Sequence, residues 1–235
     1  MHTRSLALII YMSAVYATLS YLPGFPVIGV ENARISLVSG IAPVYGLLLG
    51  PWLGFLSCLI GACINRVVSG ANLFQWLTLP ATPISALIAG TLVKADSRNT
   101  WSRHLPILIL TTLILAWYLI PIGRAAPYFP ILHWIALTLM LSFRNKLPMI
   151  YGSIGKARLA IYIAIASFSA TMTTHMYGTL MFILAAHLLI VEVWNPALLL
   201  TSIIPVVIVE RLTFTVVSTI IGVPLALIFK KNMWI

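Results

Sequence analysis

Acidic side chains are nearly missing from this chain. Glu31, Asp96, Glu192 and Glu210 are the whole set of 4 in 235 residues, against 14 lysines and arginines. Charged residues of both signs amount to 8%, where a soluble domain carries about a quarter. A chain this poor in charge cannot cover a water-facing surface. With a mean hydropathy of +1.05, it reads as an integral membrane protein. Cysteine is scarce too: Cys58 and Cys63 sit inside one apolar run and read as core residues, not as a disulfide or a metal pair. Catalytic signatures are missing. No H-E-x-x-H occurs, no Walker A motif, and no pair of carboxylates on one helix face. Leu37-Val38-Ser39-Gly40 lacks the first glycine of a nucleophile loop. These absences argue against an enzyme and against a bound cofactor or metal. They also mean that any nucleotide energy must be supplied by another subunit. The net charge of +10 is not interleaved with aromatics over a soluble stretch. It therefore reads as cytoplasmic loop charge, with no nucleic-acid partner.

What is present is a series of apolar runs. The most ordered is Ala42 to Ala62, where Ala42, Gly46, Gly50, Gly54, Cys58 and Ala62 recur at every fourth position. Four-residue spacing stacks these small residues on one helix face, and a small face lets another backbone come close. Gly50-Pro51 interrupts the ladder, because proline lacks an amide hydrogen and clashes with the preceding turn. The stretch predicts two helices folded back on each other at a tight turn. Around it the runs Ser5–Leu22, Ile35–Gly50, Trp52–Val67, Phe74–Val93, Leu105–Ile122 and Phe129–Phe143 each read as a span, with Ser69–Asn72 as a turn. Leu159–Val191 and Pro196–Phe229 are longer and are read as one helix each. The expectation is one all-α transmembrane domain over 1–235 with about eight spans, the first retained and not cleaved as a signal peptide.

Ionisable groups inside such spans are costly and usually face a cavity or a partner. Glu210-Arg211 is the leading case. Neighbours on a helix point about 100° apart, so the two need not bond to each other. They form either the floor of a cavity or an ion pair that fixes helix packing. Arg66 and Asn65 at the end of the third span, and His175 and Tyr177 in the most polar patch of the seventh, are candidate wall residues. Arg66 can also snorkel to the interface. His133 and His187 stand alone on apolar helices and read as structural. Ser13 and Ala17 form a small pair on the first span.

Arg34 to Gly54, R-I-S-L-V-S-G-I-A-P-V-Y-G-L-L-L-G-P-W-L-G, resembles the second and third helices of the substrate-binding S components of energy-coupling factor transporters. Asn72-Leu-Phe74, S-A-L-I-A-G over Ser85–Gly90, and I-I-P-V-V-I-V-E-R over Ile203–Arg211 are similar to later helices of that family. The resemblance covers 1–94 and 156–231 and leaves a helix pair at about 105–143 as an insertion into a six-helix core. It departs from the family pattern where Asn65-Arg66 replaces an acid. Met1-His2 is similar to the start of metal-specific members, but the histidine-bearing loop that accompanies it there is missing. The resemblance implies a substrate-capture subunit of an ATP-driven importer in a prokaryotic plasma membrane. It implies a vitamin-like substrate, a coupling transmembrane subunit docked on Ser13 and Ala17, and cytoplasmic ATPase subunits. The cavity would lie in the outer half, closed by the loop between the first two helices. The competing reading is a structural or assembly subunit with no ligand of its own.

Under the eight-span map Arg4, the 94–104 loop, the 144–158 loop and Lys230-Lys231 fall on one side. Lysine and arginine collect in cytoplasmic loops, so both termini are expected inside. A Ser97→Cys variant is expected to react with a membrane-impermeant thiol reagent only in inverted vesicles. Labelling of intact cells would reverse the map.

Overall fold

The computed structural model describes residues 3–28, 34–93, 100–151, 155–188 and 195–232. The chain is an all-α membrane protein. Its helices are α1 (Thr3–Leu19), α2 (Val38–Leu49), α3 (Pro51–Ser69), α4 (Leu73–Leu77), α5 (Ala81–Val93), α6 (Thr100–Leu119), α7 (Pro121–Ala125), α8 (Ile131–Phe143), α9 (Lys156–Leu188), α10 (Pro196–Ser202) and α11 (Ile204–Asn232). Among the described residues, 4 segments are long and apolar enough to cross a membrane: Pro51–Ser69, Leu73–Val93, Lys156–Leu188 and Ile204–Ile228. Thr3–Leu19, Val38–Leu49, His104–Leu119 and Ile131–Phe143 are shorter apolar helices. The run before Val191 forms one helix of 33 residues, about 50 Å long. The final run is split: α10 ends at Ser202 and α11 starts at Ile204. Pro205 sits in the first turn of α11, where a missing amide costs no hydrogen bond. Met1-His2, the 94–99 part of the basic loop, and the acids Glu31, Asp96 and Glu192 lie outside the described residues.

The ladder does fold back at Gly50. That residue caps α2 and opens α3 with φ 85° and ψ 171°, a backbone that glycine reaches without strain. Pro51 then starts α3 at the position where proline is tolerated. A β-carbon on Gly54 would stand 2.9 Å from the Cα of Gly46. One on Gly46 would overlap the carbonyl oxygen of Ala86 on α5, and one on Gly90 would reach the Cα of Pro51 at 2.7 Å. The small face therefore serves three helices, not two: α2, α3 and α5 meet where no β-carbon fits.

Around this contact the chain buries two apolar clusters. One gathers Tyr16, Val38, Ala42, Tyr45, Leu48, Cys58 and Ala62 from α1, α2 and α3. The other joins Ile88, Leu110, Trp117, Met140, Ile163 and Met172 across α5, α6, α8 and α9. Helix α9 packs on α5, α8 and α11, and α11 packs on α2. Ser218 on α11 donates to the Gly40 carbonyl of α2.

The first helix corrects an expectation. Ser13 and Ala17 are buried. A β-carbon on Gly61 of α3 would stand 2.7 Å from the Ser13 carbonyl, and the Ser13 hydroxyl donates to Ile9 O at 2.7 Å. The small pair packs α1 on α3 within the chain and is closed to another protein. The outward face of α1 is bulky, with Leu6, Ile10 and Tyr11 exposed.

The expected span Ile35–Gly50 puts Ile35 and Ser36 in a helix, with Gly24–Pro26 and Arg34 in the preceding loop. The two segments form an antiparallel hairpin, β1 (Gly24–Pro26) and β2 (Arg34–Ser36), pairing Gly24 with Ser36, Phe25 with Ile35 and Pro26 with Arg34. Three residues per strand are too few for an alternating pattern to show.

Glycine positions of opposite kind test the packing. Gly46→Ala is expected to lower the melting temperature, since overpacking typically costs about 1–3 kcal/mol. Gly178→Ala on α9, where an added β-carbon meets nothing within 4 Å, is expected to be neutral or slightly stabilising. Equal melting curves for the two variants would refute the three-helix contact.

Candidate functional site

Glu210, Arg211, Asn65, Arg66 and His175 line one cavity of about 460 Å³. The volume is within the usual range for small-molecule sites, about 300–1,000 Å³. Three helices bring these residues together: α3 supplies Asn65 and Arg66 from its last turns, α9 supplies His175, and α11 supplies the Glu-Arg pair. The wall is completed by Thr82 and Ser85 in the first turns of α5, Gln75 and Phe74 of α4 with Thr78 at its C-cap, and Thr174, Gly178, Thr179 and Phe182 of α9. The β1–β2 hairpin closes one side with Gly24, Pro26, Val27, Arg34, Ile35 and Ser36.

Local sequence explains how the wall residues are held. Helix α3 ends at Gly70 in the left-handed conformation, φ 65°, with Ala71 N–H bonded to Arg66 O at 3.1 Å. Asn72 and Gln75 then form a reciprocal capping box. Asn72 Oδ1 accepts from Gln75 N–H at 2.9 Å, and Gln75 Oε1 accepts from Asn72 N–H at 2.8 Å. This sharp re-entry brings Phe74 and Gln75 of α4 to the cavity wall.

The charged pair is bonded. Arg211 Nη2 lies 2.6 Å from Glu210 Oε1, although adjacent helix positions diverge, because the long arginine side chain folds back. Both residues are buried. Arg211 Nη1 also donates to the Thr171 carbonyl of α9 at 3.4 Å, and its guanidinium lies over the Phe214 ring, 5.1 Å from the centroid. Phe214 in turn meets Phe25 of the hairpin edge-on at 5.7 Å. The hairpin thus rests on the same ring that supports the buried arginine.

His133 is not alone. Its Nε2 lies 3.1 Å from Nδ1 of His175, with the two rings stacked at 5.2 Å. One imidazole must donate and the other accept, so their tautomers are tied together. Phe129 covers both rings at 5.9 and 5.7 Å, fixing the orientation of His175 from behind the cavity wall.

Tyr177 is the expected wall residue that the cavity leaves out. Its hydroxyl donates to the Leu77 carbonyl at 2.8 Å, so it ties α9 to the end of α4. The polar face of α5 and the strand pairing of the segment between α1 and α2 were missed from sequence. Thr78, Thr82 and Ser85 follow helical spacing and were readable as a polar stripe on an apolar helix. The strand pairing has no such signal.

No family model matches the chain, and no solved structure matches it. It is 31% identical over 235 residues to the Uncharacterized protein MJ0923 of Methanocaldococcus jannaschii, a match that covers 97% of this chain and 74% of the relative.

Breaking a buried pair strands the remaining charge, at about 3–5 kcal/mol. Glu210→Gln is therefore expected to lower the melting temperature markedly, and Glu210→Gln combined with Arg211→Met to recover part of the loss. A double variant no more stable than Glu210→Gln alone would show that the pair is not energetically coupled.

Proposed function

We propose that this chain, which belongs to the same family as the archaeal protein MJ0923, is a membrane-embedded subunit that captures a small molecule for an ATP-driven importer. The observation that carries the reading is convergence. Residues distant in sequence, on α3, α9 and α11, share one cavity of ligand size, and the described parts of the segment between α1 and α2 line its side. Isolated packing devices have no reason to meet around an open volume. The resemblance of Arg34–Gly54 and Ile203–Arg211 to energy-coupling factor S components supports the same reading. It adds a coupling transmembrane subunit and cytoplasmic ATPases as partners, a vitamin or vitamin-precursor substrate, and a prokaryotic plasma membrane with both termini inside. The chain has no nucleotide motif of its own, so the energy enters through those partners. With Ser13 and Ala17 buried, docking falls to other surfaces.

One observation favours the structural-subunit reading: Glu210 and Arg211 satisfy each other at 2.6 Å, as a packing pair does. Ligand content separates the readings. The detergent-purified protein, denatured and analysed by mass spectrometry, is expected to release a stoichiometric small molecule. Gly178→Leu extends a side chain into the cavity from a position with nothing within 4 Å. It is expected to abolish that release with little change in melting temperature. Wild-type protein that releases no compound, and whose melting temperature no tested small molecule raises, would favour the structural subunit.

A further inference from the structure

We infer that the molecule taken up by this cavity is a small organic anion whose carboxylate is held by Arg66, an inference that rests on the capture reading above. Among the described residues the cavity wall carries three guanidinium groups, Arg34, Arg66 and Arg211, and one carboxylate, Glu210. The carboxylate is taken. Its Oε1 is bonded to Arg211 at 2.6 Å, and Arg211 is engaged further by the Thr171 carbonyl and the Phe214 ring. That pair contributes no net charge to a ligand.

Arg66 is the uncompensated group. Among the described residues no carboxylate lies within salt-bridge distance of it; the ion pair found there is Glu210–Arg211. Its Nε is buried and has no hydrogen-bond partner; Arg211 Nε shares that state, but the Arg211 charge is answered by Glu210 and, among the described residues, the Arg66 charge is not. A guanidinium donor withdrawn from water without an acceptor is costly. Its planar fork is suited to a carboxylate, which can accept two parallel bonds. The neighbours Asn65, Gln75 and Thr82 are neutral and cannot cancel the charge. Arg34, exposed on β2, adds positive potential at the hairpin side, where it favours the approach of anions. Leu79, Phe74 and Phe182 add apolar surface to the same wall, which suits a flat or hydrocarbon body behind the acid group. A cationic ligand finds no free acid among the described wall residues, and a neutral one leaves Arg66 unanswered.

Three probes of one shape and different charge test this: benzoate, benzamide and benzylamine, at millimolar concentration and constant ionic strength. They are added to the full chain in a neutral detergent stripped of phospholipid. Benzoate is expected to raise the melting temperature with an apparent Kd about tenfold or more below that of benzamide, the size of one charge-assisted contact. Benzylamine is expected to bind weakest. Arg66→Gln should erase the difference between benzoate and benzamide, Arg66→Lys should keep part of it, and Gly178→Leu should remove the response altogether. The proposal is overturned if benzylamine binds as well as benzoate, or if Arg66→Gln retains the benzoate preference. It is overturned equally if added phosphatidylglycerol stabilises the protein where benzoate does not, which would make the anion site a lipid-headgroup site. A neutral or cationic co-purifying compound refutes the anion and leaves capture standing. Silence of all three probes together with an empty purified protein brings down the capture reading itself.

Discussion

Where Gly46 faces Ala86 and Gly54, three backbones approach so closely that no β-carbon fits between them. The cavity walls depend on this contact. Helix α2 carries Val38 and Ser39 to the cavity, α3 carries Asn65 and Arg66, and α5 carries Thr82 and Ser85. Their separation is set by the glycine contact, which lies at the far end of α2 and α3 and directly beyond Ser85 on α5. In a bilayer the lipid chains are as apolar as leucine, so helix association relies on close packing and on interhelical hydrogen bonds. The glycine ladder supplies the first. The Ser218–Gly40 bond and the Tyr45 hydroxyl on Met12 O at 3.2 Å supply the second.

Opposite that rigid corner the structure is polar and open. Helix α9, at 33 residues, is longer than the roughly 30 Å hydrocarbon layer requires. It lines the cavity between Thr174 and Phe182 and joins three features: His175 backed by His133, Thr171 receiving Arg211, and Tyr177 anchoring α4. The hairpin lies against Phe214, which lies against Arg211. A displacement of the hairpin would therefore be felt at the buried pair. The cavity is built from a hard glycine-packed side and a side whose parts are linked by aromatic rings and single hydrogen bonds.

Much of this arrangement was legible from residue types. A proline after a glycine in a small-residue ladder has one economical structure, the tight helical hairpin. An acid and an arginine within an apolar run must be buried together or hydrated, and here they are buried together beside a cavity. Asn65, Arg66 and His175 were read as wall residues because they are polar groups at positions where polarity is expensive. The errors have physical reasons too. Ser13 and Ala17 look the same whether a small face meets a partner protein or α3 of the same chain. Tyr177 is polar at its tip, and a tip is satisfied equally by a ligand or by the Leu77 carbonyl. His133 seemed isolated because its partner, His175, is far away in sequence.

Composition and spacing by themselves determined that the chain is helical and membrane-embedded, where it breaks at Gly50-Pro51, and which residues are too costly to bury without purpose. These are local properties, since transfer from water and backbone geometry act residue by residue along the chain. Tertiary structure alone decided that Glu210 bonds Arg211 while Arg66 has no carboxylate beside it among the described residues, that Gly24–Pro26 pairs with Arg34–Ser36, and that α1 turns its small face inward. Each depends on distances between helices remote in sequence, and those distances follow from packing, which one helix's pattern does not contain.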